Sequence, residues 1–205
     1  MQYILFVILS FLIGTILFYL SNNICEPFTI GNDIQISQNL NLTESCKNCA
    51  TELSGDQLNI VIKKGNIYKI TNLTTFNLSH EGTKIINNGI LCIEQDAQLD
   101  IYKVFENNGI IYNNGYIINH GTINNSSGAT INNNSYMQSK YGIINNGLIL
   151  NNNKHSRLYN CGNYYGNGKI KNYGNVCSIN QKQIIPNYEK YENGELWPCR
   201  KEQCK

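Results

Sequence analysis

Residues 105–125 read FENNGIIYNNGYIINHGTINN, a six-residue phrase built from asparagine, glycine and isoleucine. The phrase places an apolar residue at every sixth position and a glycine two positions before it, and it returns at 158–176 as LYNCGNYYGNGKIKNYGNV. A period of six with one apolar residue per unit is too short for a hairpin meander, and no helical period of 3.6 is present. The phrase therefore predicts a β-solenoid, in which each unit is a short strand with an inward apolar side chain, followed by a bend.

Three such units predict a coil of ~18 residues, with neighbouring coils stacked about 4.8 Å apart. Isoleucine would then lie above isoleucine in the core, at ~1.5–3 kcal/mol for each buried side chain, and asparagine above asparagine in an amide ladder. We expect glycine to give the bends their backbone freedom and asparagine to tolerate the left-handed conformation there. Residues 56–177 would make about six coils and a rod of roughly 30 Å.

The predicted fold class is all-β, a parallel β-helix preceded by an N-terminal transmembrane helix. The chain divides into four predicted segments: a transmembrane anchor at 1–21, a cysteine-containing connector at 22–54, the β-solenoid at 55–178 and a C-terminal cap or tail at 179–205. Open strand edges need covers, and we expect these from residues 56–81 at one end and from the tail with Trp197 at the other.

Residues 3–20, YILFVILSFLIGTILFYL, contain no charged side chain. As a helix they would extend ~27 Å, enough to cross a thin bilayer and contact membrane lipid. A cleaved signal peptide is the alternative, but Tyr19-Leu20-Ser21 is a poor cleavage site and favours a retained anchor. The chain is thus predicted to be a single-pass membrane protein with its bulk on the extracytoplasmic or virion side.

An even number of cysteines behind a membrane segment predicts disulfide bonds on an oxidising side of the membrane. The candidates are Cys25, Cys46, Cys49, Cys92, Cys161, Cys177, Cys199 and Cys204. Cys161 and Cys177 are about one coil apart and could bridge neighbouring coils, whereas Cys199 and Cys204 are expected to hold the tail. For Cys46-Lys47-Asn48-Cys49, structural disulfides are favoured over a zinc half-site or a redox dithiol. Glycosylation sequons mark Asn41, Asn72, Asn77, Asn124, Asn125 and Asn133.

A net charge of +2 on 205 residues predicts no nucleic-acid partner. No aspartate or glutamate occurs between Asn107 and Tyr188, so this stretch lacks the carboxylate pair of a glycosidase and the ligands of a calcium site. We therefore predict a non-enzymatic protein without metal or cofactor. The alternative is a carbohydrate-active enzyme, a glycosidase or lyase whose acids would lie at Glu81, Glu94, Asp96, Asp100 and Glu106. The histidines, His80, His120 and His155, lack metal-ligand spacing.

Six tyrosines of the repeats are candidates for a face that binds a glycan or a protein, because tyrosine offers rigid area and asparagine adaptable hydrogen bonds. They are Tyr112, Tyr116, Tyr159, Tyr164, Tyr165 and Tyr173. The alternative, that these rings fill the core or the solenoid surface, is favoured over a binding face. The predicted function is a structural or attachment protein of the adhesin type.

The unit G-x-I-x-N-x resembles the hexapeptide of left-handed β-helices, as in Gly109 before Ile111. It departs from that hexapeptide after the aliphatic residue, where Tyr112, Ile118 and Lys171 stand. The runs INNG and GTINN resemble the adhesin-type and phage-type repeats of right-handed β-helices, the pectin-lyase-like class. These resemblances cover residues 60–177 and leave the handedness open.

The apolar anchor is followed by Glu26-Pro27-Phe28-Thr29-Ile30-Gly31. This layout resembles small membrane-anchored proteins of nucleocytoplasmic large DNA viruses, and the bias toward asparagine, isoleucine, lysine and tyrosine is similar to that of their A/T-rich members. The resemblance implies a virion or viral-membrane component whose disulfides could be made by viral oxidases.

Overall fold

The computed structural model describes residues 46, 50–53, 59–71, 75–78, 84–184, 188–192 and 194–204. The predicted anchor at 3–20 lies outside these residues and stays a prediction. Within the described part of the chain, no helix has the length and apolar character needed to cross a membrane.

The described chain is an all-β parallel solenoid of about six turns, which confirms the fold predicted from the repeat. Successive strands pass through three sheets, named A, B and C here, and each pairs in parallel with strands of the coils before and after it. Strand β10, for example, pairs with β7 on one side and with β13 on the other.

Sheet A has eight strands: β1 (Thr51–Glu52), β3 (Ile67–Ile70), β6 (Ile90–Ile93), β9 (Ile110–Asn113), β12 (Thr130–Asn133), β15 (Leu148–Asn151), β18 (Lys169–Asn172) and β20 (Tyr188–Lys190). Sheet B has six: β2 (Asn59–Ile62), β5 (Lys84–Asn87), β8 (Val104–Asn107), β11 (Thr122–Asn125), β14 (Gly142–Asn145) and β17 (Asn163–Tyr165). Sheet C has seven: β4 (Thr75–Leu78), β7 (Gln98–Ile101), β10 (Tyr116–Asn119), β13 (Tyr136–Ser139), β16 (Arg157–Asn160), β19 (Asn175–Ser178) and β21 (Glu195–Pro198). A short helix α1 (Gln181–Ile184) and a 3-10 helix (Lys201–Cys204) complete the described elements.

The six-residue phrase corresponds to a four-residue strand followed by a two-residue corner. Three phrases make the shortest coil, in which Thr122 lies opposite Val104, 18 positions earlier. Other coils carry longer corners, and the longest separation, 25 positions, lies between Asn59 and Lys84. The predicted coil length thus holds only where all three corners are short.

The second residue of each repeat strand points into the solenoid, as the apolar period predicts. Ile111, Ile117 and Ile123 are at most 1% exposed, and they belong to one continuous core that runs from Leu53 to Ile184. The fourth strand residue also points inward, and there the repeat places asparagine.

Buried asparagines form the amide ladders that the sequence predicts. In sheet B, Nδ2 of Asn87 donates to Oδ1 of Asn107 at 2.8 Å, and the contact repeats from Asn107 to Asn125 and from Asn125 to Asn145 at 2.7 Å. Each of these amides also donates to a backbone carbonyl near the start of a sheet A strand. The bonds satisfy polar groups that would otherwise be costly to bury.

The expectation that corner glycines supply unusual backbone conformations is wrong for most corners. Among the described glycines, only Gly65, Gly128 and Gly166 have a positive φ, and no described asparagine does. A Cβ at Gly109 would instead lie 2.1 Å from the carbonyl oxygen of Gly89. The corners contain glycine because stacked coils leave no room for a side chain there.

The solenoid sheets continue beyond residues 55–178 in both directions. Strand β1 pairs with β3, while β20 and β21 pair with β18 and β19. Helix α1 contacts β17 and β19, and its Ile184 is fully buried at the end of sheet B. Trp197 lies in β21, the last strand of sheet C, opposite Cys177.

Candidate functional site

A polar cleft of about 680 Å³ lies along the corner between sheets A and C. The residues that line it come mainly from the turns after β6, β9, β12 and β15: Cys46, Cys92, Ile93, Glu94, Gln95, Asp96, Asn114, Tyr116, Asn134, Ser135 and Asn153. Because four successive coils contribute to it, the cleft runs along the solenoid axis.

An outer amide ladder forms part of the cleft and its border. Nδ2 of Asn134 donates to Oδ1 of Asn114, and Nδ2 of Asn152 donates to Oδ1 of Asn134, both at 2.9 Å. Asn153 adds a bond to the backbone carbonyl of Asn134 at 2.7 Å. A ladder bond uses one of the two N–H groups of an amide, so the row retains donors and acceptors for a ligand.

Two of the five candidate acids belong to the lining of the cleft. Glu94 and Asp96 line it together, and Glu94 lies 3.6 Å from Nζ of Lys69. Asp96 is held in the turn between β6 and β7 with a φ of 62°.

Two further candidate acids, Asp100 and Glu106, lie outside the cleft lining. Asp100 lies on sheet C and accepts two bonds from Nε2 of Gln98, at 2.9 and 3.1 Å. Glu106 pairs with Nζ of Lys84 at 2.8 Å on sheet B. Glu81 lies outside the described residues.

The six candidate tyrosines lie on different parts of the solenoid and do not make one face. Tyr116 and Tyr159 belong to strands of sheet C, whereas Tyr165 is exposed on sheet B. Tyr112 is buried on sheet A beside the Cys46–Cys92 disulfide, Tyr164 is buried in the core, and Tyr173 stacks on Tyr191 at a corner.

A row of aromatic rings on sheet C includes Tyr136, which the sequence analysis did not single out. Its ring centroid lies 6.0 Å from that of Tyr116 and 5.3 Å from that of Tyr159. Burial raises the pKa of the Tyr136 hydroxyl, and the neighbouring Tyr159 adds to the effect. Tyr136 and Tyr116 are each the first residue of a four-residue strand, and the two strands are neighbours in sheet C. This shared position in the repeat could have revealed Tyr136.

The hydroxyl of Tyr164 ends the inner ladder of sheet B, although the residue itself lies opposite Ile143, at the apolar inward position of its strand. Its hydroxyl accepts a hydrogen bond from Nδ2 of Asn145 at 2.8 Å. Burial raises the pKa of Tyr164 to about 12, although the bond from Asn145 acts in the opposite direction. This tyrosine is a core residue and not part of a binding face.

His120 stacks on Tyr102 at the corner between sheets C and B, with 4.5 Å between ring centroids. Burial lowers the pKa of His120, and the nearby Lys140 lowers it further. His155 lies in the turn before β16, and His80 is outside the described residues.

Three disulfides join described cysteines: Cys46–Cys92, Cys161–Cys204 and Cys177–Cys199. The possible bridge between Cys161 and Cys177 does not form, because the strand register places Cys177 opposite Tyr159 and leaves Cys161 beyond the strand. The expectation that Cys199 and Cys204 hold the tail is confirmed. Cys46 bonds to Cys92 and not to Cys49; Cys25 and Cys49 lie outside the described residues.

Burial separates the sequon asparagines. Asn125 and Asn133 are fully buried in the inner ladders, so a glycan on either would be incompatible with the folded coil. Asn124 points away from the core on β11 and is half-buried. Asn77 lies in β4, and Asn41 and Asn72 are outside the described residues.

The architecture defines the described part of the chain as a parallel β-solenoid with a polar cleft at the corner between sheets A and C. No family model, no curated protein and no solved structure matches this chain. Its function is therefore inferred from its own residues.

Proposed function

We propose that the protein is a non-enzymatic, membrane-anchored β-solenoid that acts as an attachment protein, with the cleft between sheets A and C as its ligand site. The observation that carries the proposal is the outer amide ladder Asn114–Asn134–Asn152 beside Tyr116. A row of amides next to a half-exposed aromatic ring suits a glycan or a polar protein surface. Membrane lipid around residues 3–20 is the second proposed partner, and a virion membrane is the proposed location.

A structural role as a spacer is compatible with the same features. The inner ladders and the continuous core make each coil rest on its neighbours, which favours a stiff rod that holds the cleft away from a membrane. A spacer without a ligand would depend on the rod, and substitutions in the cleft would not change its function.

The test of attachment combines topology with binding. Protease should digest the solenoid on sealed membranes or particles before detergent is added, since an attachment protein must face outward. A glycan and cell-binding screen should then find a ligand whose binding is lost in Tyr116→Ala and Asn134→Ala.

The matched control is Tyr165→Ala, which removes an exposed ring on sheet B, away from the cleft. Thermal unfolding of each variant separates a lost ligand contact from a lost fold. Protection of the solenoid until detergent is added would exclude attachment and leave the spacer role. Equal loss of binding in the control and the cleft variants would exclude the cleft.

We carry a carbohydrate-active enzyme as the second candidate, because Glu94 and Asp96 line one cleft. A polysaccharide screen with Glu94→Gln and Asp96→Asn tests it, and Asp100→Asn is the control because Asp100 lies outside the cleft lining. Turnover that is abolished by the first two changes and kept in the third would support the enzyme. Turnover that survives all three would exclude these acids.

A further inference from the structure

Four cysteine sulfurs converge on the outer side of sheet C near its C-terminal end. The sulfurs of Cys161, Cys199 and Cys204 all lie within 4.8 Å of one another, and Cys177 is bonded to Cys199. Two disulfides, Cys161–Cys204 and Cys177–Cys199, therefore lie side by side. The rod contributes two of these cysteines and the tail the other two.

Hydrogen bonds that do not involve sulfur place the tail on the rod. Strand β21 pairs with β19, and the backbone N–H of Cys199 continues that pairing to the carbonyl of Ser178 at 3.3 Å. Nε2 of Gln138 donates to the carbonyl of Gln203 at 2.7 Å. Within the tail, the N–H of Arg200 donates to Oε1 of Gln203 at 2.8 Å and holds the turn after Cys199. These bonds would keep the four cysteines together after the disulfides are opened.

We propose that the four cysteines form a tetrathiolate zinc site when their two disulfides are reduced. Zinc binds four thiolates in a tetrahedron with Zn–S near 2.3 Å, which puts the sulfurs about 3.8 Å apart. The sulfurs of Cys161 and Cys204 lie within 4.8 Å of that of Cys199 and need to approach it by about 1 Å at most. The sulfur of Cys177 joins this group through its bond to Cys199, so it has to turn farther, and the two bonded pairs must separate from about 2 Å to about 3.8 Å. Rotation of the cysteine side chains provides such a movement without displacing the strands.

The chemistry balances with a dithiol as reductant. Each disulfide takes up two electrons and two protons from one dithiol, which itself becomes a disulfide. Zinc then replaces the four thiol protons, which are released to solution.

Basic residues adjoin the four cysteines in sequence and in strand register, and their positive charge would favour the net charge of −2 on a zinc tetrathiolate. Arg200 and Lys201 follow Cys199 directly. Lys140 and Cys161 occupy corresponding positions in neighbouring coils, because each directly follows one member of the pair Ser139 and Asn160. Glu202 is the one acid of the 3-10 helix.

The test uses the full chain, reduced by dithiothreitol without oxygen, incubated with zinc and freed of unbound metal by gel filtration. Elemental analysis should show zinc, and cobalt in its place should give the intense visible absorption of a tetrahedral thiolate site. The double variant C161S/C204S should lose one equivalent of zinc per chain and the cobalt spectrum. The matched control C46S/C92S also lacks one pair of disulfide-forming cysteines, but it should keep the bound zinc and the cobalt spectrum.

Far-ultraviolet circular dichroism shows whether each variant keeps its strands. If C161S/C204S fails to fold, Cys161→Ser alone decides the question in the reduced protein, where a competing chelator should remove its zinc at least tenfold more easily than from the wild type. The proposal is overturned if the reduced wild type elutes without metal, or if removal of Cys161 leaves zinc binding and the cobalt spectrum unchanged.

Discussion

At the scale of single residues, an inner-ladder asparagine makes contacts in three directions. Asn113 donates through Nδ2 to Oδ1 of Asn133 at 2.8 Å and to the carbonyl of Tyr136 at 2.9 Å, and its Oδ1 accepts from the N–H of Gly115 at 3.2 Å. The side chain thus joins two coils and shapes its own corner. The bond to the corner needs only a backbone N–H; glycine is required at Gly115 because a Cβ there would lie 2.3 Å from the carbonyl oxygen of Ala97.

Because one amide is buried and the other faces outward, substitutions at the adjacent residues Asn125 and Asn124 should differ sharply in their effect on stability. Asn125→Ala removes the partner of Asn107 and of Asn145, and we expect a loss of about 1–3 kcal/mol in the free energy of unfolding for each buried group left unpaired. Asn124→Ala, on the outward side of the same strand, should change stability by less than about 0.5 kcal/mol. Urea unfolding of the two variants measures the difference, and similar losses in both would contradict the role of the ladder.

Tyr164 predicts a loss of stability at alkaline pH. Its pKa is about 12 in the folded protein against 10.0 for the free side chain, so the fold favours the neutral phenol. This contribution is complete below pH 10 and disappears as the pH rises toward 12, with a size on the order of 2–3 kcal/mol. Unfolding measured between pH 8 and 12 should show a shallower decline for Tyr164→Phe than for the wild type; parallel declines would contradict the assignment.

At the scale of elements, the corners limit which residues the repeat accepts. Gly109→Ala would press a Cβ against the carbonyl of Gly89, at 2.1 Å, whereas a Cβ at Gly142 would meet the carbonyl of Asn163 at 3.6 Å, an ordinary contact. We expect Gly109→Ala to cost about 1–3 kcal/mol or more, as overpacking does, and Gly142→Ala to be nearly neutral. Thermal unfolding of the two variants measures the difference in stability. If Gly109→Ala unfolds at the same temperature as the wild type, the coils can separate locally.

At the scale of the whole molecule, the sequence was sufficient to predict the solenoid, because an inward apolar residue recurs along the repeat and an inward asparagine follows it in most strands from β8 to β18. It could not reveal the cleft, which depends on how turns such as Glu94–Ala97 and Asn152–Ser156 stack across coils. The pairing of Cys161 with Cys204 was equally hidden, since it requires the tail to reverse along the outside of sheet C. The sequence did not show which tyrosines fill the core and which lie on the surface, because strand position, and not residue type, decides which face a ring occupies.

Stacked coils predict that the rod tolerates removal of a whole turn. Deletion of residues 116–135 joins Gly115 to Tyr136, which lies opposite Tyr116 in the next coil, and preserves every inward position. We expect this variant to fold with lower stability, because each repeat contacts mainly its neighbours. Deletion of 116–125 should not fold, since it directs the chain into the wrong sheet. Circular dichroism and thermal unfolding distinguish the two, and equal behaviour would argue against coil-by-coil assembly.

The return of the tail along sheet C also has a mechanical consequence. A pulling force applied at the C-terminus of the oxidised protein would pass through Cys204 directly to Cys161, 43 residues earlier in the chain. The final coils would be bypassed and would not extend under tension. The solenoid would unfold first on the N-terminal side of Cys161, and its C-terminal coils would stay folded under the pulling force.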